Sequence, residues 1–315
     1  MSILPHAINP RSFRSVPGAA TVILLSTVLF AASCGGAAGP GGRNQGANGR
    51  IPVVAAENTW GDIASQIGGK HATVRSLIID PNADPHLYES NAKDAYSISV
   101  APIVVLNGAG YDDFASKLIG ASGRKPIVVS AQRVMGMNAP GQNPHLWYDI
   151  EKVPAVALAI EKAFEKVDPK NAPDYKANLQ TFDASLKEVS SIIDQIKARY
   201  AGQPVAYTER VPQYLLEQAG LKIMTPPGFA TAVEDGNDPS PSDAAAMEEL
   251  ITGHKIRLLL YNKQAITPVT QRVRALAQKN GVPVVGITET LPKGETSYQS
   301  WQIDQLNAIL KALGG

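Results

Sequence analysis

The sequence has 315 residues, enough for two domains of ordinary size, and its 44% hydrophobic and 18% charged content is typical of a soluble globular protein. Its 29 basic and 28 acidic residues give a formal net charge of +1, which provides no electrostatic basis for binding nucleic acid or an anionic membrane surface. The single cysteine, Cys34, excludes an intrachain disulfide and a zinc cluster built from cysteines.

The first 34 residues predict a signal peptide. Residues 1–16 contain two arginines and no acid, and residues 21–33 form an apolar run that is too short for a membrane span. The segment AASCG at residues 31–35 resembles the lipobox of bacterial lipoproteins, in which the cysteine becomes the acylated first residue of the mature chain. Ala31 replaces the large aliphatic residue usual there, and a plain secretory signal or an uncleaved anchor is the alternative.

Residues 35–50 are rich in glycine and polar side chains, which predicts a flexible tether. With Cys34 acylated, this tether would hold the folded part at the extracytoplasmic face of the bacterial cell membrane.

From Ile51 onward, short runs of β-branched and aliphatic residues alternate with helical segments. This alternation predicts parallel α/β structure. It occurs twice, so we expect an N-terminal α/β lobe over residues 51–171 and a C-terminal α/β lobe over residues 202–315, each with a doubly wound sheet.

A single long helix is predicted between the lobes, over residues 172–201. Apolar residues recur there at spacings of four and three, and no glycine or proline interrupts residues 174–200. A helix of that length is roughly 40 Å long and would run along both lobes as a rigid connection that limits closure. A coiled-coil segment is the alternative, but the stretch is shorter than four heptads and its polar face is mixed.

Two histidines occur in the same local pattern, Pro-His-Leu followed by an aromatic residue. His86 lies in ADPHLYE and His145 lies in NPHLWYD, each at the exit of an extended segment. Taken singly, either histidine is more often a hydrogen-bonded structural residue than a metal ligand. The repeated pattern favours a shared role.

Two glutamates follow strands of the second lobe, Glu209 in YTER and Glu289 in ITETL. The carboxyl ends of parallel strands are where doubly wound sheets bind ligands. Two imidazoles and two carboxylates suit a divalent first-row metal and neutralise its charge. The wide separation of the four residues excludes a zinc finger or an HExxH helix.

The chain resembles the metal-binding solute-binding lipoproteins of bacterial ABC importers for zinc and manganese. The resemblance covers about residues 51–313, nearly the whole mature chain. It is carried by the segments ADPHLYE, LNGAGYDDF, NPHLWYD, AYTERVPQYLLEQAGL, DPSPSD and GITETLP.

The resemblance implies four metal ligands in the cleft between two lobes that are joined by one long helix. His86 and His145 match the two first-lobe histidines of that family, and Glu209 matches a position that is histidine or glutamate. Glu289 stands where aspartate is usual. The implied function is capture of one zinc or manganese ion by a monomer and its delivery to an ABC permease, without catalysis.

The choice between the two metals stays open. Family members with glutamate at the third position look more like manganese binders, and chelation through both oxygens suits manganese. Zinc, however, binds nitrogen-containing sites more tightly than manganese does.

Three other functions compete with metal capture. A secreted metal-dependent hydrolase would need an open coordination position for water, whereas four protein ligands argue for closed capture. The sequence contains no repeats and no Ser/Thr-rich stalk that would support a surface adhesin with a structural metal. A siderophore or haem binder would need a broad basic or aromatic cleft.

Several further residues attract attention near these motifs. Asp84 and Asp149 are candidates for orienting the imidazoles of His86 and His145, with capping of a turn as the alternative for each. Arg210 either holds the neighbouring carboxylate of Glu209 or pairs elsewhere. Tyr111, Trp147 and Tyr148 are candidate cleft walls, Trp60 is expected in the core, and His71 and His254 are expected to be exposed without a role.

Overall fold

The computed structural model describes residues 49–82 and 84–314. The predicted signal peptide, Cys34 and nearly all of the predicted tether therefore lie outside the described residues. Within those ranges, no helix combines the length and the apolarity that crossing a bilayer requires.

The first lobe is built on a four-stranded parallel sheet with the order β2-β1-β3-β4. Its strands are mostly buried, as expected for a parallel sheet covered on both faces. The register pairs Val53 of the first strand with Ile103 of the third. The strands are β1 (Ile51–Glu57), β2 (Ala72–Ile78), β3 (Ile103–Leu106) and β4 (Ile127–Ser130).

Helices cover both faces of this sheet. Val54 and Val104 point towards one face, where they pack with residues of the second and third helices, whereas Val53 and Ile103 point towards the face shared with the first and fifth helices. The helices are α1 (Asn58–Gly68), α2 (Ala92–Val100), α3 (Asp113–Ala121), α4 (Ala131–Val134) and α5 (Val153–Val167). Short 3-10 turns span Gly69–His71, Pro85–Leu87, Leu146–Tyr148 and Pro169–Asn171.

The long helix α6 spans Ala172–Tyr200, 29 residues, and joins the two lobes. Pro173 lies in the first turn of this helix. Backbone N–H groups there have no partner within the helix, so the N–H that proline lacks costs no hydrogen bond. One stripe of the helix is buried, and it packs against α1 and α5 of the first lobe and the last helix of the second. The buried stripe consists of Tyr175, Phe182, Leu186, Val189, Ile192, Ile193 and Ile196.

The second lobe repeats the arrangement with the strand order β6-β5-β7-β8, all parallel. The strands are β5 (Pro204–Tyr207), β6 (Lys222–Ile223), β7 (Leu258–Asn262) and β8 (Val284–Ile287). The helices are α7 (Gln213–Gln218), α8 (Pro227–Glu234), α9 (Pro241–Thr252), α10 (Pro268–Lys279) and α11 (Tyr298–Leu313). The predicted fold class, two α/β lobes joined by one long helix, is confirmed.

One hydrophobic core runs through both lobes. The cluster that contains Val53 and Ile103 of the first sheet also contains Val205 and Leu258 of the second, with the buried stripe of α6 between them. Because the lobes share this core, they are not connected by a hinge alone.

Three of the expectations concern residues outside the metal-binding motifs. Trp60 is fully buried, as predicted, and its indole N–H donates to Asn107 Oδ1. His254 is exposed, also as predicted. His71 differs from the prediction, because it is half-buried and its Nε2 lies 2.8 Å from Asp174 Oδ2 at the start of α6.

Candidate metal site

The candidate ligands lie on or beside short 3-10 turns in the first lobe and directly after strands in the second. His86 lies on the 3-10 turn Pro85–Leu87, and His145 immediately precedes the 3-10 turn Leu146–Tyr148. Glu209 lies two residues beyond β5, and Glu289 lies two residues beyond β8. The carboxyl ends of the second sheet therefore face the two histidines of the first lobe.

Three of the four predicted ligands form a tight cluster. One ligand atom from each of His86, His145 and Glu289 lies within 4.8 Å of the other two. Glu289 Oε2 is 3.2 Å from His145 Nε2 and 3.4 Å from His86 Nε2. Ligand atoms that share one tetrahedral zinc ion at bonds of about 2.0–2.2 Å are roughly 3.3–3.6 Å apart, so this spacing suits a single ion.

Glu209, the fourth predicted ligand, is joined to this cluster through an amide. Asn262 Nδ2 donates to Glu209 Oε2 and, at 2.7 Å, to Glu289 Oε1. The other oxygen of Glu209, Oε1, is buried and has no hydrogen-bond partner among the described residues. His86 Nε2 is also buried without a hydrogen bond, although it lies at ion-pair distance from Glu289. A bound cation would satisfy both atoms.

The charges at the site are strongly coupled. Burial opposes ionisation of Glu289, but the two imidazoles beside it hold the pKa of its carboxyl well below the usual range. Burial likewise lowers the pKa of His86, yet the adjacent, negatively charged carboxylate of Glu289 outweighs it and raises that pKa to about 9. Burial and the negative charge of Glu289 raise the pKa of Glu209. Without a metal ion, His86 and Glu209 therefore bind protons at the position where a dication would bind.

Tyr111 reaches the site because the chain turns sharply after β3. Three consecutive residues, Gly108, Ala109 and Gly110, have positive φ angles of 81°, 56° and 83°. A Cβ on Gly108 would also meet Gln132 Oε1 at 2.7 Å, so glycine is required there. The Tyr111 hydroxyl consequently donates to Glu289 Oε2 at 2.8 Å.

Aromatic rings surround the two imidazoles. The ring of Tyr111 lies 4.9 Å from that of His86, and Trp147 lies 5.6 Å from His145, both edge-on. Tyr148 does not face the imidazoles, because its hydroxyl bonds to Thr288 O and Gln305 Oε1. Tyr111 and Trp147 thus exclude water from one side of the cluster.

The two carboxylates predicted to orient the imidazoles make other contacts. Asp84 accepts a hydrogen bond from the backbone N–H of His86 and so caps the 3-10 turn. Asp149 pairs with Lys152 and accepts from Gln218, since the turn Leu146–Tyr148 carries it past the ring of His145. Asn143 takes the expected role instead, with its Oδ1 2.7 Å from His145 Nδ1.

Arg210 pairs away from the site. Its guanidinium makes a two-point contact with the Glu234 carboxylate, at 2.8 Å and 2.7 Å, rather than holding Glu209. Both residues line a cavity of about 420 Å³ that reaches His86 and Tyr111. The His86 side chain is 21% exposed, so this cavity leads from solvent to the cluster.

Sequence reasoning missed three polar residues at the site: Asn143, Asn262 and Gln264. Asn143 lies within the NPHLWYD segment, two residues before His145, and that spacing was its available signal. Asn262 is the last residue of a buried strand. The two glutamates were predicted as ligands because they too lie at the carboxyl ends of strands. Gln264 Oε1 accepts from the backbone N–H groups of Glu289 and Thr290, which fixes the segment after β8.

Comparison with known proteins gives consistent matches along almost the whole chain. The family model described as zinc-uptake complex component A, periplasmic, matches residues 53–312. The manganese-binding lipoprotein MntA of Bacillus subtilis is 25% identical over 312 residues, covering 92% of this chain and 98% of that protein. A metal ABC transporter substrate-binding lipoprotein of Lactococcus lactis is 22% identical, covering 91% and 95%.

Solved structures show the same fold. The periplasmic zinc-binding protein TroA from Treponema pallidum superimposes with a TM-score of 0.71 at 17% sequence identity, covering 84% of this chain and 99% of that one. At this identity the likeness concerns the two-lobe architecture and its long helix.

Proposed function

Because this chain belongs to the family of the periplasmic zinc-uptake complex component A, we propose that it is the substrate-binding component of an ABC importer. It captures one divalent transition-metal ion, zinc or manganese, outside the cytoplasmic membrane and delivers it to the membrane permease. The metal is the transported substrate and not a resident cofactor.

The observation that carries this proposal is the convergence of two imidazoles and a buried carboxylate from opposite lobes. His86 and His145 come from the first lobe and Glu289 from the second, with their ligand atoms within 4.8 Å of one another. Glu209, next to Glu289 across Asn262, supplies the fourth ligand. Neutral nitrogen and anionic oxygen together suit zinc and manganese.

Capture and release fit this arrangement better than hydrolysis does. A catalytic zinc site keeps one coordination position open for water, whereas four protein ligands close the shell. We therefore propose that the chain is not an enzyme.

We extend the proposal to the location of the protein. Relatives are named lipoproteins, and Cys34 follows the apolar run at the start of this sequence. Acylation at Cys34 would hold a monomer on the extracytoplasmic face of the membrane. Mass spectrometry of the mature N-terminus tests this, and an unmodified Cys34 in membrane-bound protein would contradict it.

A titration of the chain lacking residues 1–34 with zinc and with manganese, followed by native mass spectrometry, tests metal capture. We expect one equivalent of metal per chain. Replacing a ligand removes a donor atom, so His86→Ala and His145→Ala are expected to lose more affinity than the about 10- to 100-fold that loss of a ligand's hydrogen-bond partner costs.

The matched control is His254→Ala, which removes an exposed histidine of the second lobe far along the chain from any candidate ligand. It should bind metal as the unaltered chain does. Unchanged affinity in both His86→Ala and His145→Ala would contradict the proposed site.

A further inference from the structure

Asn262 occupies a singular position in the second sheet. It ends β7, which lies between β5 and β8, the two strands that lead to the glutamates. Its side chain is fully buried. The middle strand therefore places one amide between two carboxylates that its neighbours carry.

The orientation of this amide is fixed by its backbone partner. Asn262 Oδ1 accepts a hydrogen bond from the backbone N–H of Gln264 at 3.0 Å. A backbone N–H can only donate, so the oxygen of the amide must face it and the NH₂ group must face the carboxylates. The two amide hydrogens then bond to Glu209 Oε2 and Glu289 Oε1.

One oxygen of each glutamate consequently faces the amide of Asn262, and the other oxygen is turned away from it. The other oxygen of Glu289, Oε2, faces the two imidazoles and also accepts a hydrogen bond from the Tyr111 hydroxyl, which leaves it a second lone pair for an ion. The remaining oxygen of Glu209, Oε1, is buried and unpartnered among the described residues. For either glutamate to chelate an ion through both oxygens, its carboxylate would have to turn from this position, which would strain its hydrogen bond with the buried amide.

We propose that Asn262 is a specificity-determining residue, which restricts each glutamate to one metal-binding oxygen and thereby favours zinc over manganese. The inference rests on the proposed function and deepens it. Two nitrogens and two single oxygens make four donor atoms, the number that zinc takes in closed protein sites. Manganese prefers six ligands that are mostly oxygen, which this site supplies only if the glutamates turn.

The substitution Asn262→Leu tests the role of the amide, because leucine has a similar size and cannot donate a hydrogen bond. Dissociation constants for zinc and for manganese are measured by competition with a chelator on the full-length chain. Loss of an outer-shell partner commonly weakens metal binding about 10- to 100-fold. We expect a loss of that size for zinc and a smaller change for manganese, so the preference for zinc decreases.

Cobalt(II) supplies a readout that a general loss of stability would not change. Four-coordinate cobalt absorbs visible light strongly and six-coordinate cobalt absorbs weakly. The unaltered chain should show the strong bands, and Asn262→Leu should show weaker ones as the glutamates become chelating. The control is Thr270→Val, which removes a buried hydroxyl of the same lobe whose hydrogen bonds, among the described residues, stay within the N-terminal cap of α10 and the preceding loop. It should leave both the metal preference and the spectrum unchanged.

Three results would overturn the inference. One is an equal loss of zinc and manganese affinity in Asn262→Leu with an unchanged cobalt spectrum. Another is a shift in metal preference in Thr270→Val as large as that in Asn262→Leu. The third is a weak, six-coordinate spectrum in the unaltered chain, and this arm still decides the matter if Asn262→Leu does not fold. Failure of the unaltered chain to bind any of the three metals would contradict the proposed function itself.

Discussion

At the scale of single residues, Asn143 prepares His145 to bind a metal. Its Nδ2 donates to the carbonyl of Arg210, so its Oδ1 is the atom that faces the His145 ring. A neutral His145 then carries its proton on Nδ1 and leaves Nε2 for an ion. Because Asn143 contacts Arg210 of the second lobe, the orientation of this ligand depends on both lobes.

Metal affinity should depend on pH through His86. The pKa of His86 is about 9 without metal, so the imidazole is protonated at neutral pH and must lose its proton to bind an ion. Protonation of Glu209, whose pKa is also raised, acts in the same direction. Affinity should therefore rise with pH up to about pH 9, and binding at neutral pH should release protons.

Calorimetry in buffers of different ionisation enthalpy measures these released protons. His254→Ala should release as many as the unaltered chain does. Metal binding that neither releases protons nor strengthens with pH would contradict the charge states described for His86 and Glu209.

At the scale of elements, the segment after β8 is held by α1 of the opposite lobe. Asn58 Nδ2 donates to Leu291 O and Asn58 Oδ1 accepts from Leu291 N, both at 3.0 Å. The Asn58 side chain thus bonds to both backbone polar groups of Leu291, as the backbone of a neighbouring strand does in a sheet. Glu289 lies two residues before Leu291, so this contact helps to hold the ligand in place.

Replacing Asn58 with alanine should weaken both the fold and the hold on metal. Two neutral hydrogen bonds contribute about 1–3 kcal/mol, and we expect the free energy of unfolding in urea to fall by that amount. Metal release should become faster, as measured by stopped-flow transfer to a chelator.

Asn280→Ala is the matched control, since the Asn280 side chain bonds, within the part of the chain that the structure describes, only to Leu276 O near the end of α10. It should leave the release rate unchanged. An unchanged release rate in Asn58→Ala, despite lower stability, would show that the contact does not hold Glu289.

The sequence predicts the elements better than it predicts the contacts between them. The helix α6 could be recognised because its apolar spacing is regular and uninterrupted, and the strands because their runs are short and β-branched. His86 and His145 shared a local motif. The contact of His145 with Asn143 and that of Asn262 with two glutamates depend on side-chain direction and on strand order, neither of which the periodicity specifies. For the same reason the sequence left two roles open for Asp149, at the end of the His145 motif, and did not indicate its contacts with Lys152 and Gln218.

At the scale of the whole molecule, the shared core should make the two lobes unfold together. The cluster that includes Val53, Phe182 and Leu258 passes from the first sheet through α6 to the second. Exposing either part of that core alone would leave the other part without its packing partners. The lobes are therefore coupled in stability as well as in position.

Calorimetric unfolding of the metal-free chain should show one transition whose measured enthalpy equals its van't Hoff enthalpy. Metal at 100 times its dissociation constant should stabilise the folded state by about 2.7 kcal/mol without splitting the transition. Chain with both His86 and His145 replaced by alanine should unfold at the same temperature with and without metal. Two separate transitions in the metal-free chain would contradict the shared core.

The pairing of His145 with Glu289 joins residues 144 positions apart. Chains made from the N-terminus present both histidines long before Glu289 exists, and β8 can add to the second sheet only beside a completed β7. The complete set of ligands consequently exists only after β7, β8 and Glu289 have all been synthesised. A partly synthesised or unfolded chain cannot bind an ion with this set of ligands. A metal ion held by all of them is therefore acquired after folding, in the compartment where folding is completed.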